Sequence, residues 1–299
     1  MRIVVLGCAA GGGSPQWNCR CKVCSLAWSG DPRVRRRTQA SLAVCADGKN
    51  WCLINCSPDI REQIALIDDL RPQGGLRGSP VSNVVLTNAD IDHIGGLLSL
   101  REGHRFAIHA TGETLGVLKQ NPVFDVLAPA TVARRALDIG VAKPISGHLT
   151  VECFMVPGKL PLYLEGAAPD TKLKSGNTVG VKITSKGQSF YYIPGCADLD
   201  RETRTRIAQA GLVFFDGTLW SDDEMITSGT GPKTGRRMGH MPVGGTDGSL
   251  AALTGLGIKR VVYTHMNNTN PMLIDGSDEH RAVLAAGAET GHDGLEIAL

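Results

Sequence analysis

Three side chains able to hold a cation, Asp90, Asp92 and His93, fall within four positions of the run Asn88-Ala89-Asp90-Ile91-Asp92-His93. The run directly follows Val84-Val85-Leu86-Thr87, so a buried strand delivers these groups at its end. Ile94-Gly95-Gly96-Leu97-Leu98 then reads as the first turn of a helix. The two acids could simply cap that helix, but capping gives His93 no role. A second apolar run, Val261–Thr264, ends at His265. A histidine at a strand exit is well placed as a last metal ligand. His240 stands in Met238-Gly239-His240-Met241-Pro242 and reads as either a ligand or a general acid–base. Cys19-Arg20-Cys21-Lys22-Val23-Cys24 gathers three thiols into six residues, the pattern of a structural zinc knuckle spanning 17–27.

Short apolar runs alternate with helical patterns along the whole chain. Strands are expected at 2–6, 40–46, 51–55, 84–87, 106–109, 151–156, 179–184, 190–193, 213–216, 261–264 and 295–298. Helices are expected at 58–67, 94–102, 113–120, 201–210, 249–256 and 279–286. Ser57-Pro58-Asp59 supplies a capping hydroxyl, a proline for the first helical position and an acid for the first turn. Two strand-rich halves with helices outside suggest one α/β domain over 1–299, a four-layer αββα sandwich. Segments 74–82 and 157–177 read as surface loops, and the Gly-rich stretch 221–245 as a candidate flap. The loop Gly7-Cys8-Ala9-Ala10-Gly11-Gly12-Gly13 lacks the spacing of a nucleotide cradle. It reads instead as a close backbone approach at the site entrance.

Composition narrows the class. A net charge of +2 on 299 residues indicates no nucleic-acid partner. With 5% aromatic residues, stacking platforms for single strands are not expected. No run approaches the ~20 apolar residues of a membrane span, and the apolar stretch before Cys8 is too short for an export signal. The expected location is therefore cytoplasmic, with the nine cysteines reduced. Cys8, Cys45, Cys52, Cys56 and Cys153 sit in apolar contexts and read as core thiols. Arg33, Arg35, Arg36 and Arg37 form a basic cluster, either a solvated loop or an anchor for substrate carboxylates.

Asn88–His93 resembles the metallo-β-lactamase superfamily signature, His-X-His-X-Asp-His after a strand. The Asp92-His93 pair is intact, but Asn88 and Asp90 stand at the two histidine positions. No histidine occurs near Val156-Pro157-Gly158-Lys159, where the superfamily places its next ligand. The resemblance thus implies one metal, at the second site, rather than a dinuclear zinc hydrolase. It also implies a metal-bridging aspartate after the 190–193 strand, matched by Asp198, with Cys196 as the alternative. The resulting set is Asp92, His93 and His265, with Asp198 and Asp90 close by. Two histidines and a carboxylate suit non-haem Fe(II), and the same ligands take zinc. Superfamily phosphodiesterases with a similar cysteine cluster draw its fourth ligand three residues beyond the last active-site histidine, which is Asn268 here.

Segments 53–61, 88–93, 193–199, 215–220, 237–243 and 263–271 together resemble the pyrroloquinoline quinone (PQQ) biosynthesis protein B family. The resemblance implies a bacterial protein acting on a small molecule, a cross-linked Glu-Tyr diamino acid or a PQQ precursor. It implies an iron- and O2-dependent hydroxylase of the tyrosine-derived ring, with Asp198 or His240 moving protons. Other PQQ biosynthesis proteins are implied as possible partners, and a homodimer as a possible assembly. A soluble carrier aiding PQQ transport and a metal-dependent hydrolase or phosphodiesterase are the alternatives.

Overall fold

In the computed structural model, which describes residues 1–299 apart from 75, 167–169 and 172, two seven-stranded sheets face each other. The first half of the chain supplies β1 (Arg2–Gly7), β2 (Ser41–Cys45), β3 (Trp51–Ile54), β4 (Val81–Val85), β5 (Phe106–Ala110) and β6 (Val132–Ala136). The second half supplies β7 (Lys143–Ile145), β8 (Leu149–Gly158), β9 (Leu173–Ser185), β10 (Gln188–Ile193), β11 (Val213–Asp216), β12 (Val261–Thr264) and β13 (Ala288–Thr290). The last strand, β14 (Glu296–Ala298), returns to pair with β1, so the first sheet runs β14-β1-β2-β3-β4-β5-β6. The second runs β13-β12-β11-β10-β9-β8-β7.

Side-chain alternation builds the layers. Ile3 and Val5 point into the core between the sheets with Phe190, Tyr192, Phe214 and Val262. Val4 and Leu6, one residue out of phase, pack under outer helices with Ile60, Leu97 and Leu118. Every strand residue of β2 and β3 is buried, as a sheet covered on both faces requires. The expected αββα sandwich is therefore the observed architecture.

Each sheet is antiparallel on one side and parallel on the other. β3, β4, β5 and β6 run parallel, and so do β10, β11, β12 and β13. Loops leaving the carboxyl ends of parallel strands form the usual binding crevice of an α/β protein. Here those ends carry Asn88–His93, Pro194–Asp198, Asp216 and His265 to one edge of the sandwich.

Several element ends differ from expectation. The helix expected at 58–67 spans Ile60–Leu66, because Ser57 and Asp59 form a turn before it, with the Asp59 N–H donating to Ser57 Oγ at 3.3 Å. The helix expected at 94–102 is a single α-turn, Ile91–Ile94, continued as a 3-10 helix, Gly95–Leu100. Its position is fixed by contact. A Cβ on Gly96 would lie 2.0 Å from the Ser57 carbonyl oxygen, so only glycine lets this turn seat against 56–57. The expected loops at 74–82 and 157–177 lie partly outside the described residues. Strand β4 begins within the first; the second opens on the end of β8, carries a 3-10 turn, Leu162–Leu164, and runs into β9 from Leu173. Stretch 221–245 carries a short helix, Glu224–Thr227, and a 3-10 turn, Arg236–Met238.

Candidate metal centre

His93 is the best-defined member of the site. Its backbone carbonyl accepts from the Cys56 N–H at 2.7 Å, which ties the turn after β4 to the end of β3. Its Nδ1 lies 2.6 Å from Asn88 Oδ1. Its Nε2 is buried and has no hydrogen-bond partner among the described residues. Burial pushes the imidazole down to about 4, so the ring is neutral and Nε2 presents a lone pair. A buried unpaired polar atom costs about 1–3 kcal/mol, and a cation would remove that cost. Beside it, His265 Nε2 lies 2.9 Å from Asp92 Oδ2, and His93 Nε2 lies 3.9 Å from the same oxygen. One ligand atom from each of Asp92, His93 and His265 lies within 4.8 Å of the others. Two imidazoles and one carboxylate at this spacing fit one divalent transition metal with open positions.

His265 follows β12 in a left-handed backbone conformation, φ 55°. Its Nδ1–H donates to Thr218 Oγ1 at 2.9 Å, which aims Nε2 at Asp92. Burial works against a charge on His265, but the Asp92 carboxylate outweighs it and holds the pKa above the usual value.

Asp198 is not part of this cluster. It lies five residues beyond the end of β10 and is exposed, with its carbonyl accepting from the Cys196 thiol at 3.1 Å. The alternative, Cys196, is fully buried. The carboxylate at the centre is Asp216, the last residue of β11, and it is fully buried. Its Oδ1 accepts from the Thr218 N–H at 3.0 Å and the Thr218 hydroxyl at 2.6 Å. Its Oδ2 accepts from the Cys196 N–H at 2.9 Å and from His240 Nδ1–H at 2.6 Å. Four donors fill the lone pairs of this carboxylate, so Asp216 anchors His240. His240 stacks on His265 with ring centres 5.2 Å apart, and Asp216, His240 and His265 form a second group with ligand spacing. Asp198→Asn should leave active-site metal content unchanged. Asp216→Asn should leave a buried donor unpaired, costing about 1–3 kcal/mol, and should release His240. Metal analysis and thermal melting of the two variants check this.

Asp90 is held beside the cluster. Its Oδ2 accepts from Asn88 Nδ2 at 3.1 Å and its Oδ1 from the Leu162 N–H at 3.3 Å. Burial, and then the neighbouring Asp92 carboxylate, raise its pKa. A cleft of about 290 Å³ opens here between the Gly11-Gly12 backbone and an apolar wall of Ile91, Leu162 and Tyr163, with Gln39, Asp90 and Asp92 at its base. The Tyr163 hydroxyl is fixed by donating to the Ala89 carbonyl at 2.7 Å. Glu165, two residues on, pairs with Lys159 and with Arg237 at 3.0 Å, fastening this wall to the segment that carries His240. The wall residues carry no sequence signal, because their role comes from placement alone.

The thiols of Cys19, Cys21 and Cys24 form the third cluster with ligand spacing. Cys21 caps the short helix Lys22–Trp28, its sulfur accepting from the Cys24 N–H. The Asn268 side chain closes the group, with Nδ2 3.1 Å from Cys19 Sγ and 3.2 Å from Cys24 Sγ. The amide NH2 of Asn268 thus faces the sulfurs as a hydrogen-bond donor. The other cysteines named as core thiols are buried and free. The arginine cluster is occupied by contacts within the chain. Arg33 pairs with Asp31 at 2.8 Å, Arg35 with Asp275 at 4.0 Å, Arg36 lies over Trp28, and Arg37 donates to the Gly291 carbonyl.

Two facing sheets with metal-competent side chains at the carboxyl edge are matched by a family model. Residues 50–266 fit the Beta-lactamase superfamily domain, and the chain belongs to that superfamily. It is 49% identical over 300 residues to coenzyme PQQ synthesis protein B of Methylobacterium nodulans, with 100% of each chain covered. It is 50% identical to the protein of that name in Rhizobium meliloti, covering 100% of this chain and 98% of the relative. Within the superfamily, the chain is a member of the coenzyme PQQ synthesis protein B family. The crystal structure of Zn(2+)-bound PqqB from Methylobacterium extorquens superposes with a TM-score of 0.98 at 49% identity, covering 100% of both chains. A diphosphatase of the PhnP family shares the fold, with a TM-score of 0.72 at 22% identity over 100% of this chain and 97% of the other.

Proposed function

We propose that the chain acts in PQQ biosynthesis as an iron- and O2-dependent hydroxylase of the tyrosine-derived ring in a cross-linked Glu-Tyr intermediate. The observation that carries this reading is the unpartnered, neutral Nε2 of His93 beside Asp92 and His265, in a site whose first two histidine positions hold Asn88 and Asp90. That donor set favours one ion with open positions over the paired ions of a hydrolase. Zinc in the Methylobacterium extorquens relative supports metal binding by the family. Zinc binds such ligands more tightly than iron does, so it can replace Fe(II) during preparation.

Fe(II) at this site would supply the activation of dioxygen. The chain's own residues do the rest. The exposed apolar wall of Ile91, Leu162 and Tyr163 offers a face against which a planar ring would lie. Asp216 holds Nδ1–H of His240, which leaves the opposite ring nitrogen to exchange a proton with substrate. His240 and Asp216 thus take the proton-moving role expected of His240 or Asp198. His240→Ala should retain active-site metal and lose about 10²–10⁴-fold in turnover, the usual contribution of a positioned acid–base. Metal analysis with single-turnover kinetics checks both halves.

We place the protein in the cytoplasm, supported by its nine free cysteines. No helix among the described residues is long and apolar enough to cross a membrane. Protein loaded with Fe(II) and protein loaded with Zn(II) should be compared with the diamino acid, a reductant and O2. Consumption only with iron supports the hydroxylase. Equal consumption with both metals would favour the hydrolase, and binding without consumption in either would favour the carrier.

A further inference from the structure

Asn88 and Asp90, the two residues that depart from the superfamily histidines, are bonded to each other and to His93. Asn88 is buried, 7% exposed. Its Oδ1 lies 2.6 Å from His93 Nδ1 and accepts from the Asp90 backbone N–H at 3.0 Å. Its Nδ2 donates to Asp90 Oδ2 at 3.1 Å. These contacts permit only one orientation of the amide. Turning it over would set its NH2 against the Asp90 N–H and its oxygen against the Asp90 carboxylate, two repulsions for two hydrogen bonds. With the oxygen fixed toward the imidazole, His93 Nδ1 must carry the proton, because an amide oxygen only accepts. The lone pair is then forced onto Nε2, the buried atom without a partner that points at Asp92 and His265.

We propose that Asn88 is a positioning residue for the metal centre: oriented by Asp90, it dictates the tautomer of His93 and so creates the lone pair that binds metal. The inference rests on the single-metal reading above. Asn88 and Asp90 would thus form an outer layer that prepares a ligand for the single ion. Outer partners of this kind typically contribute 10–100-fold in metal affinity.

The test uses full-length protein with its cysteine site filled by zinc. Nitrogen-15 histidine NMR reads which ring nitrogen of His93 is protonated, and Co(II) titration reads active-site affinity. Wild type should show His93 protonated at Nδ1. Asn88→Leu, which keeps bulk and removes the acceptor, should show mixed tautomers and about 10–100-fold weaker Co(II) binding. Asn88→Asp made together with Asp90→Asn keeps an acceptor oxygen toward His93 and a hydrogen bond between the two side chains, and this aspartate variant should restore the tautomer and most of the affinity. A purely structural role would not distinguish the aspartate from the leucine variant. If the leucine variant does not fold, Asn88→Ala gives the same reading without added bulk. A wild-type tautomer and affinity in the leucine or alanine variant would overturn the proposal, as would an aspartate variant that binds no better than leucine. Failure of the single-metal reading would look different: wild type would take up two tight Co(II) ions at the active site, the second at Asp216, His240 and His265, whatever the tautomer result.

Discussion

Replacing His265 or His93 with alanine should remove the active-site metal and abolish oxygen insertion while the fold survives. Each variant leaves one imidazole and the Asp92 carboxylate. That loss should exceed the ~10–100-fold effect of removing an outer partner. Neither residue lies in a strand: His93 belongs to the helical turn Ile91–Ile94 and His265 directly follows β12, so neither carries sheet hydrogen bonds within a strand. At position 265 alanine takes over the left-handed backbone, φ 55°, that histidine already holds, so the substitution adds little backbone strain. Circular dichroism should therefore stay near wild type, and the cysteine-bound zinc should remain. Metal analysis and product mass spectrometry check the prediction. A His265 variant that binds metal and hydroxylates normally would show the site to be misassigned. One that loses metal yet binds PQQ tightly would favour the carrier.

Cys21→Ser should lower zinc content and stability together. Structural zinc held by thiolates contributes folding free energy directly, with apparent binding energies of about 10–16 kcal/mol in small zinc domains. Cys21 is central to its cluster: it caps the following helix, and its thiol donates to the Asn268 carbonyl at 3.4 Å. The helix is only seven residues long, Lys22–Trp28, too short to hold itself together by backbone bonds alone. Asn268 belongs to a segment fastened to the loop after β11, where the Asn267 N–H donates to the Thr218 carbonyl and Asn270 Nδ2 to the Gly217 carbonyl, both at 2.9 Å. Loss of the zinc should thus loosen residues well beyond the knuckle. Unchanged zinc stoichiometry and an unchanged melting temperature would contradict the structural-site reading.

The parts of this molecule legible in its sequence are those whose neighbours in space are also neighbours along the chain. Asp92 and His93 are adjacent, the three thiols lie within six residues, and His265 directly follows a strand that is apolar to its end. The structure brings Asp216 rather than Asp198 beside the histidines, and the reason is sheet geometry. Strands β10 and β11 are parallel, with Ile193 paired to Phe215, so both end at the same level. An acid five residues past β10 has room to turn to solvent, whereas the terminal residue of β11 cannot leave the interior. The signal was present in Phe215-Asp216-Gly217-Thr218, where an acid closes an apolar run. Strands β6, β7 and β13 leave no apolar signature in the sequence for a related reason. All three are sheet edges. Edge strands are short or charged, as Arg134 and Arg135 in β6 illustrate, and lack the apolar run that marks a central strand. The cleft wall of Leu162 and Tyr163 has no pattern at all, because it is made by loop placement.

Oxygen insertion is the reaction proposed for this site. The most direct measurement is mass spectrometry of product after anaerobic reconstitution with Fe(II) and addition of the cross-linked diamino acid, a reductant and isotopically labelled dioxygen. A product heavier by labelled oxygen is expected from wild type and none from His93→Ala. Substrate recovered without label, in protein shown to contain iron at this site, would contradict oxygen insertion.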